Sequence, residues 1–288
     1  MLPARFEYHR PGSIDEALGL LSSLEDAKVL AGGQSLIPVM KLRFAAPANL
    51  VDINRLPGLD GIDAADGTLR IGALVRHNQM AGSEVVGARH PLLGSTAPQI
   101  ADPLVRNLGT VGGSLAHADP AGDWGSAMLA AGATVAVRSS RGEREVAISD
   151  FLVDIFTTTL EPDELLMEVR VPLPAGPSGG AYLKLERKIG DFATVGVAVQ
   201  VELSGGTISR AGIALTGVGS KNIPATEAER SLGGAEPGEE AFANAGRLAA
   251  AAADPVSDVR GSVDYKRHVV DVYVRRGLAR AVEMAQAA

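Results

Sequence analysis

"VLAGGQSLIPVMKLR" runs from Val29 to Arg43. It opens with the end of a short apolar run, "AKVLA", which reads as a buried strand. Gly32 and Gly33 stop that run, and after Gln34 and Ser35 the apolar pattern resumes at Leu36. Glycine lacks a Cβ and adopts positive φ freely, so a glycine turn lets several backbone N–H groups converge on an oxyanion. A single Gly-Gly after a strand is most simply a tight turn. This chain has two. The second lies in "LGTVGGSLAHADPAGDW", Leu108 to Trp124. "AGGQSL" (Ala31 to Leu36) and "VGGSL" (Val111 to Leu115) both pass from paired glycines into Ser and Leu. Facing each other, the two turns could grip a diphosphate, with the hydroxyls of Ser35, Thr110 and Ser114 as further donors.

Other nucleotide motifs do not compete well. There is no G-x-x-x-x-G-K-[ST], so a P-loop is excluded. "LTGVGSKN" (Leu215 to Asn222) follows a strand-like run, but Asn222 stands where a dinucleotide fingerprint needs its third glycine. No G-x-S-x-G elbow is present, which argues against Ser114 as a hydrolase nucleophile. The five histidines form neither H-E-x-x-H nor a close pair. "HADPAGD" offers His117, Asp119 and Asp123 to a metal, against simpler loop and capping roles. Asp123 directly precedes an apolar helical pattern, so it reads either as an N-cap or as an acceptor for a ribose hydroxyl.

Composition narrows the class. The chain has 288 residues, 46% apolar and 21% charged, with net charge -7. That acidic balance argues against nucleic-acid binding. It contains no cysteine, which excludes disulfides, thiol catalysis and Cys-ligated zinc or iron–sulfur clusters within this chain. "MLPARFEYHRPGS" lacks the apolar core of a secretory signal, and no stretch approaches the ~18 apolar residues of a membrane span. The expected location is the cytoplasm, at most peripheral to a membrane through a complex.

Ser13 and Glu16 form a capping box, and Ile14, Ala17, Leu18 and Leu21 continue as a helical stripe. With "AKVLA" and "NLVDI" this predicts a small α/β unit over residues 1–57. A second unit follows over 58–175: a strand in "GTLRIGALV", helices over Asn78–Val86 and Pro91–Ile100, and a helix from Asp123. A hairpin in "TVAVRSSRGEREVAI" and a strand in "ELLMEVRVPLP" complete it. "LPAGPSGG" marks a boundary, and 176–288 reads as three strands and then three helices, an α+β domain. Ser204-Gly205-Gly206 turns a hairpin, and Pro224 is the expected start of a helix.

"AGGQSLIPVMKLR", "RNLGTVGGSLAHADPAGDW" and "ERKIGDFATVGVAV" together resemble the FAD-binding medium subunits of molybdenum hydroxylases, most of all the aerobic carbon monoxide dehydrogenase group. The likeness runs in order over nearly the whole chain. It implies a vanillyl-alcohol-oxidase (PCMH) type FAD-binding domain followed by the α+β domain, with FAD as cofactor. The diphosphate is expected between Val29, Leu30, Ala31, Gly32, Gly33, Gln34, Ser35 and Leu36 on one side and Thr110, Val111, Gly112, Gly113 and Ser114 on the other. By the same resemblance Asp123 reaches the ribose side, Ile100 lies against the adenine, and Leu166 lies near the flavin. "RKIGDFATV" is similar to the strand that passes the flavin ring. Phe192 and Thr194 are the candidates for ring contacts, an ordinary core aromatic being the competing reading of Phe192. Lys184 and Arg187 approach the cofactor or stand as surface strand positions. Xanthine dehydrogenases carry lysine where Thr194 falls, a departure that argues against NAD as acceptor.

The resemblance further implies a subunit, not a self-sufficient enzyme. A large molybdopterin-binding subunit oxidises substrate, a small [2Fe-2S] subunit relays electrons, and this chain passes them to a quinone or carrier. The competing class is a nucleotide-binding or assembly protein without redox activity.

Overall fold

The computed structural model describes residues 2–288. The first unit contains β1 (Glu7–His9), α1 (Ile14–Ser23), β2 (Ala27–Leu30), α2 (Leu36–Lys41) and β3 (Asn49–Asp52). Its strands form a parallel sheet of order β1-β3-β2. Ser13 Oγ accepts from the Glu16 amide, while the Glu16 carboxylate reaches back to the Gly12 amide, so both ends of the capping turn are satisfied. Ala17, Leu18 and Leu21 bury the helical stripe against Val51, Ile53 and Leu56, and the same cluster takes in Leu59, Leu74 and Leu165.

The middle of the chain opens with the hairpin β4 (Ile62–Ala65) and β5 (Thr68–Gly72). Six short helices follow: α3 (His77–Gly82), α4 (Glu84–Arg89), α5 (Pro91–Thr96), α6 (Pro103–Leu108), α7 (Val111–His117) and α8 (Asp123–Ala131). The helix expected over Asn78–Val86 is two helices. Ser83 interrupts it because its hydroxyl accepts from the Val86 amide and caps a new start. The hairpin β6 (Thr134–Ser139) and β7 (Gly142–Ala147), the short α9 (Ile148–Phe151), the small hairpin β8 (Leu152–Asp154) and β9 (Thr157–Thr158), and β10 (Leu165–Pro172) complete this part. Its antiparallel sheet has the order β4-β5-β10-β6-β7. One face of that sheet shares a core with Val111, Leu115, Trp124 and Met128 of α7 and α8.

The last part contains β11 (Ser178–Leu185), β12 (Val195–Ser204), β13 (Thr207–Thr216), β14 (Ile223–Pro224), α10 (Thr226–Leu232), α11 (Glu239–Ala252) and α12 (Val263–Ala287). Gly205 and Gly206 both have positive φ, 59° and 84°, as the tight β12–β13 turn requires. The three expected strands gain a two-residue fourth. Pro224 ends that strand instead of starting a helix, because it pairs with Ala214 and the next amide, Ala225, donates to Ile213. The helix begins at Thr226.

β12 explains how the chain joins its parts. Successive residues of a strand point to opposite faces. Val195, Val197, Val199 and Val201 pack on one face against Val270, Val274 and Leu278 of α12. Ala198 packs on the other with Tyr182, Ala214, Leu92 and Ala130. That second face meets helices α5 and α8, and small residues let them in. A Cβ on Gly180 would stand 2.6 Å from Leu92 Cβ, and one on Gly212 would collide with the Ala130 carbonyl.

A buried polar cluster crosses the same interface. Asp123 at the start of α8 accepts from Tyr182 Oη at 2.6 Å and from Lys184 Nζ at 3.0 Å. The Lys184 side chain is 2% exposed, and its ammonium also donates to the Gln99 carbonyl. Burial pushes the Asp123 carboxyl above the usual carboxylate range, while Lys184 and Tyr182 pull it back. Nearby, Asn222 donates to the Gly122 carbonyl, and Ser126 and Thr216 share a 2.5 Å hydrogen bond. Among the described residues no helix is long and apolar enough to cross a membrane.

Two predictions follow from this interface. Asp123→Ala removes the nearer of the two acids beside buried Lys184, leaving only Glu186 at 3.6 Å, and should lower the apoprotein's unfolding free energy by about 3 kcal/mol. The double variant Asp123→Leu/Lys184→Met should recover most of it; urea unfolding of all three chains reads the result. His90 is fully buried, neither ring nitrogen has a hydrogen-bond partner among the described residues, and burial lowers its pKa to about 4. The unfolded chain therefore takes up that proton first as pH falls below about 6.5. Stability present above pH ~6.5 is lost as pH drops toward ~4, by roughly 3 kcal/mol for this group. His90→Phe should flatten the fall in melting temperature between pH 7 and pH 5; an unchanged slope removes His90 from the account.

Candidate functional site

β2 ends where its pairing with β3 ends, at Leu30 opposite Asp52. Ala31 to Ser35 then turn the chain, with Gly33 at φ +71°, and Leu36 opens α2. Within the described residues, no acceptor takes the amides of Gly32, Gly33, Gln34, Ser35 or Leu36, and the Ser35 hydroxyl makes no cap bond. All of these residues are half-buried. A run of five unpaired, partly buried donors is costly unless an anion or water meets it. The first glycine segment is therefore an open cradle of N–H groups.

The second segment corrects the expectation of a matching turn. Val111 to His117 is a helix, and its glycines lie in the first turn. Thr110 is the N-cap, with Oγ1 accepting from the Gly113 amide at 3.1 Å. Val111 and Gly112 donate to the carbonyls of Val75 and Ala73, and Ser114 donates to Thr110. These amides are spent on holding the helix against the chain that follows β5. Gly112 permits that closeness, since a Cβ there would stand 2.7 Å from Ala73 Cβ. What remains free among the described residues is the Thr110 amide and the half-buried Ser114 hydroxyl, neither of which has a hydrogen bond within the chain.

The two segments touch. A Cβ on Gly32 would collide with the Leu108 carbonyl and stand 2.7 Å from Gly109 Cα, and one on Gly113 would stand 3.6 Å from Ala31 Cβ. Two side chains lie beneath them. Asn54 Nδ2 donates to the Ala31 carbonyl at 2.6 Å, and Asn54 Oδ1 accepts from Arg76 Nη2 at 2.8 Å. Arg76 Nη1 donates to the Leu108 carbonyl. His77 accepts from Trp124 Nε1 at 3.0 Å and backs Gly109; burial, with Arg106 and Arg76 nearby, lowers its pKa to about 4.

The remaining predicted residues fall in three places. Ile100 and Leu166 belong to the core below the second segment, 8% and 6% exposed, so each can offer a ligand only an edge. Asp123 is the first residue of its helix, not the N-cap; Gly122 holds that position. Both Asp123 oxygens face Tyr182 and Lys184, so Lys184 is a buried neighbour of this acid and not a surface strand position. Thr194 is buried and its amide donates to Leu185. Phe192 is 53% exposed, which excludes the core-aromatic reading. Gly190 abuts Ala101 and Asp102, so the segment carrying Phe192 and Thr194 lies beside Ile100. Arg187 is exposed and pairs only loosely with Asp191, at 3.7 Å.

The alternatives lose their basis. The His117 ring packs on Phe156 at 5.0 Å, and the described residues contain no group of three metal-ligating side chains. Asn222 of "LTGVGSKN" is buried in the domain interface, bonded to Pro120, Gly122 and Thr216. Asn54, Arg76 and Tyr182 escape a reading of the sequence. No motif marks them, and the contacts that matter here, Asn54 with Arg76 and Tyr182 with Asp123, span 22 and 59 residues.

The glycine cradle fits the diphosphate of a dinucleotide, for which it holds five free donors. Comparison with known proteins agrees. Residues 4–174 match the family model described as the FAD binding domain in molybdopterin dehydrogenase, and residues 180–281 match the CO dehydrogenase flavoprotein C-terminal domain. The carbon monoxide dehydrogenase medium chain of Hydrogenophaga pseudoflava is 44% identical over 96% of this chain and 97% of its own length. A subunit of the 6-hydroxypseudooxynicotine dehydrogenase complex of Paenarthrobacter nicotinovorans is 42% identical over 99% of this chain and 97% of its own. A solved structure of the Hydrogenophaga pseudoflava carbon monoxide dehydrogenase superimposes with a TM-score of 0.96, 45% identity and 99% of each chain covered. FAD is the cofactor of such chains, and this one belongs to the FAD-binding medium-subunit family of the molybdenum hydroxylases.

Proposed function

We propose that this chain holds FAD along its glycine segments and serves as the electron-transfer subunit of a molybdenum hydroxylase. The observation that carries the reading is the row of unpaired amides from Gly32 to Leu36, seated against the second segment. A diphosphate supplies the acceptors those donors lack. Ser35 and Ser114 add hydroxyls. Val29 and Leu30 mount the cradle on the sheet. Thr110, Val111, Gly112 and Gly113 form its opposite wall, with the amides of Val111, Gly112 and Gly113 satisfied internally.

Ile100, Leu166, Phe192 and Thr194 line the remainder, and Asp123 sits behind them with Lys184. In this arrangement Asp123 acts first by fixing the Gln99–Lys184–Tyr182 cluster, and any ribose contact shares its two oxygens with those donors. Bound FAD supplies chemistry that accepts and releases electrons singly or in pairs, while the protein contributes binding, orientation and local charge. No side chain of this site is required to move a proton.

The electrons come from elsewhere. The chain has no cysteine, so a Cys-ligated cluster belongs to another subunit. A small [2Fe-2S] subunit delivers them, a large molybdopterin-binding subunit extracts them from substrate, and a quinone or carrier removes them. Relatives more than 40% identical to this chain are named for carbon monoxide and for 6-hydroxypseudooxynicotine, molecules with little in common. Substrate choice therefore lies with the large subunit.

The test uses Gly32→Ala, which adds one methyl group where the two segments meet. Overpacking of this kind costs about 1–3 kcal/mol, which in the loaded state weakens FAD roughly tenfold or more. The variant complex should lose the yellow flavin absorbance on dialysis while its circular dichroism stays that of the parent. Full retention of flavin would withdraw the assignment.

A further inference from the structure

We propose that Asn54 and Arg76 are positioning residues that set the gap between the two glycine segments and thereby the affinity for the FAD diphosphate; this rests on the reading of those segments as the diphosphate site. Among the described residues, no hydrogen bond runs directly between residues 31–36 and residues 108–115. They pack together at Gly32, against Leu108 and Gly109, and at Ala31, against Gly113. The hydrogen-bonded link between them runs through two side chains: Ala31 carbonyl, Asn54, Arg76, Leu108 carbonyl.

Each end of this brace is firmly mounted. Asn54 follows β3, and its backbone and side-chain amides both donate to Asp52 Oδ1, at 2.9 and 2.8 Å. Tyr8 Oη donates to the other Asp52 oxygen at 2.5 Å. Partial burial pushes the Asp52 carboxyl up, but the Tyr8 and Asn54 donors and the Arg10 charge outweigh it and hold it below its ordinary value. Asp52 is therefore an acceptor at neutral pH, which fixes the orientation of the Asn54 amide: NH2 toward Asp52 and Ala31, oxygen toward Arg76. Arg76 is tied by its backbone to the second segment, through a bridge to Thr110 and the adjacent His77 amide bonded to the Gly109 carbonyl.

The chemistry of Arg76 points the same way. Its guanidinium is spent on two neutral oxygens, Asn54 Oδ1 and the Leu108 carbonyl. A planar fork spans two acceptors at fixed separation, which a lysine ammonium on a flexible stem does not. The positive charge is left without a direct ion pair among the described residues, beside the row of free amides, where an anionic diphosphate gains from it.

The experiment compares Arg76→Lys, Arg76→Gln, Asn54→Ala and the Arg76→Gln/Asn54→Ala double variant with the parent. Gly32→Ala is carried in parallel. All are full-length chains in the assembled complex, freed of flavin. Affinity for FAD is read by quenching of flavin fluorescence, affinity for ADP by competition, and the fold by the apo melting temperature. Each single variant should weaken FAD and ADP by a similar factor, about tenfold or more, with Arg76→Lys giving no rescue. The double variant should lose little more than the worse single one, since one broken link breaks the brace. Parent-like FAD and ADP affinity in a folded Arg76→Lys chain overturns the proposal, as do losses that multiply in the double variant. If Asn54→Ala fails to fold, the two Arg76 variants decide alone. Loss of FAD in Gly32→Ala with none in the Arg76 variants sinks the brace and leaves the diphosphate site standing. Retention in Gly32→Ala removes the site itself.

Discussion

The backbone of Gly32 lies against the backbone of Leu108 and Gly109, closer than any side chain permits. That contact ties the end of a parallel strand near the start of the chain to the helix start some eighty residues later. Much of the site depends on it. It places five free amides beside a helix start whose amides from Val111 to Ser114 are already bonded, so one side supplies most of the donors and the other shapes. The division of labour has a simple cause. A helix start pressed onto the carbonyls of Ala73 and Val75 consumes its donors, while a turn that leaves a sheet edge keeps them.

The second constraint is the interface between the sheet of the last part and the helices α5 and α8. It is built from small residues and from charge. Gly180 and Gly212 admit helix backbone, and Ala198 and Ala214 pack on Leu92 and Ala130. Through this close contact run Asp123, Lys184 and Tyr182. The segment from Ala118 to Trp124, which follows the second glycine pair, is thereby held by residues about 60 to 100 positions away. A motif that looks like part of the cofactor site is also the seam of the molecule.

Much of this was legible in local pattern. Ser13 and Glu16 announced their helix, and Ser204-Gly205-Gly206 announced the hairpin. The reading failed where a short polar side chain or a neighbour decided. Ser83 split one helix by capping another, and Pro224 joined a strand because Ala214 was there to pair with it. The second Gly-Gly looked like the first in sequence and became a helix, because Thr110 capped it and Ala73 and Val75 received its amides. Phe192, weighed as a core residue, projects outward.

By itself the sequence determined the two glycine segments, most of the helices and strands, and the family, since glycine pairs, caps and apolar periodicity act over a few residues. The absence of cysteine in it excludes a Cys-ligated cluster from this sequence. Only the tertiary structure decided which amides remain free, because that depends on acceptors distant in the chain. It alone joined Asn54 to Arg76 and Asp123 to Lys184, pairs separated by 22 and 61 residues. Hydrogen bonds of this kind form when the fold brings two polar groups within about 3 Å, and no spacing along the chain encodes that approach.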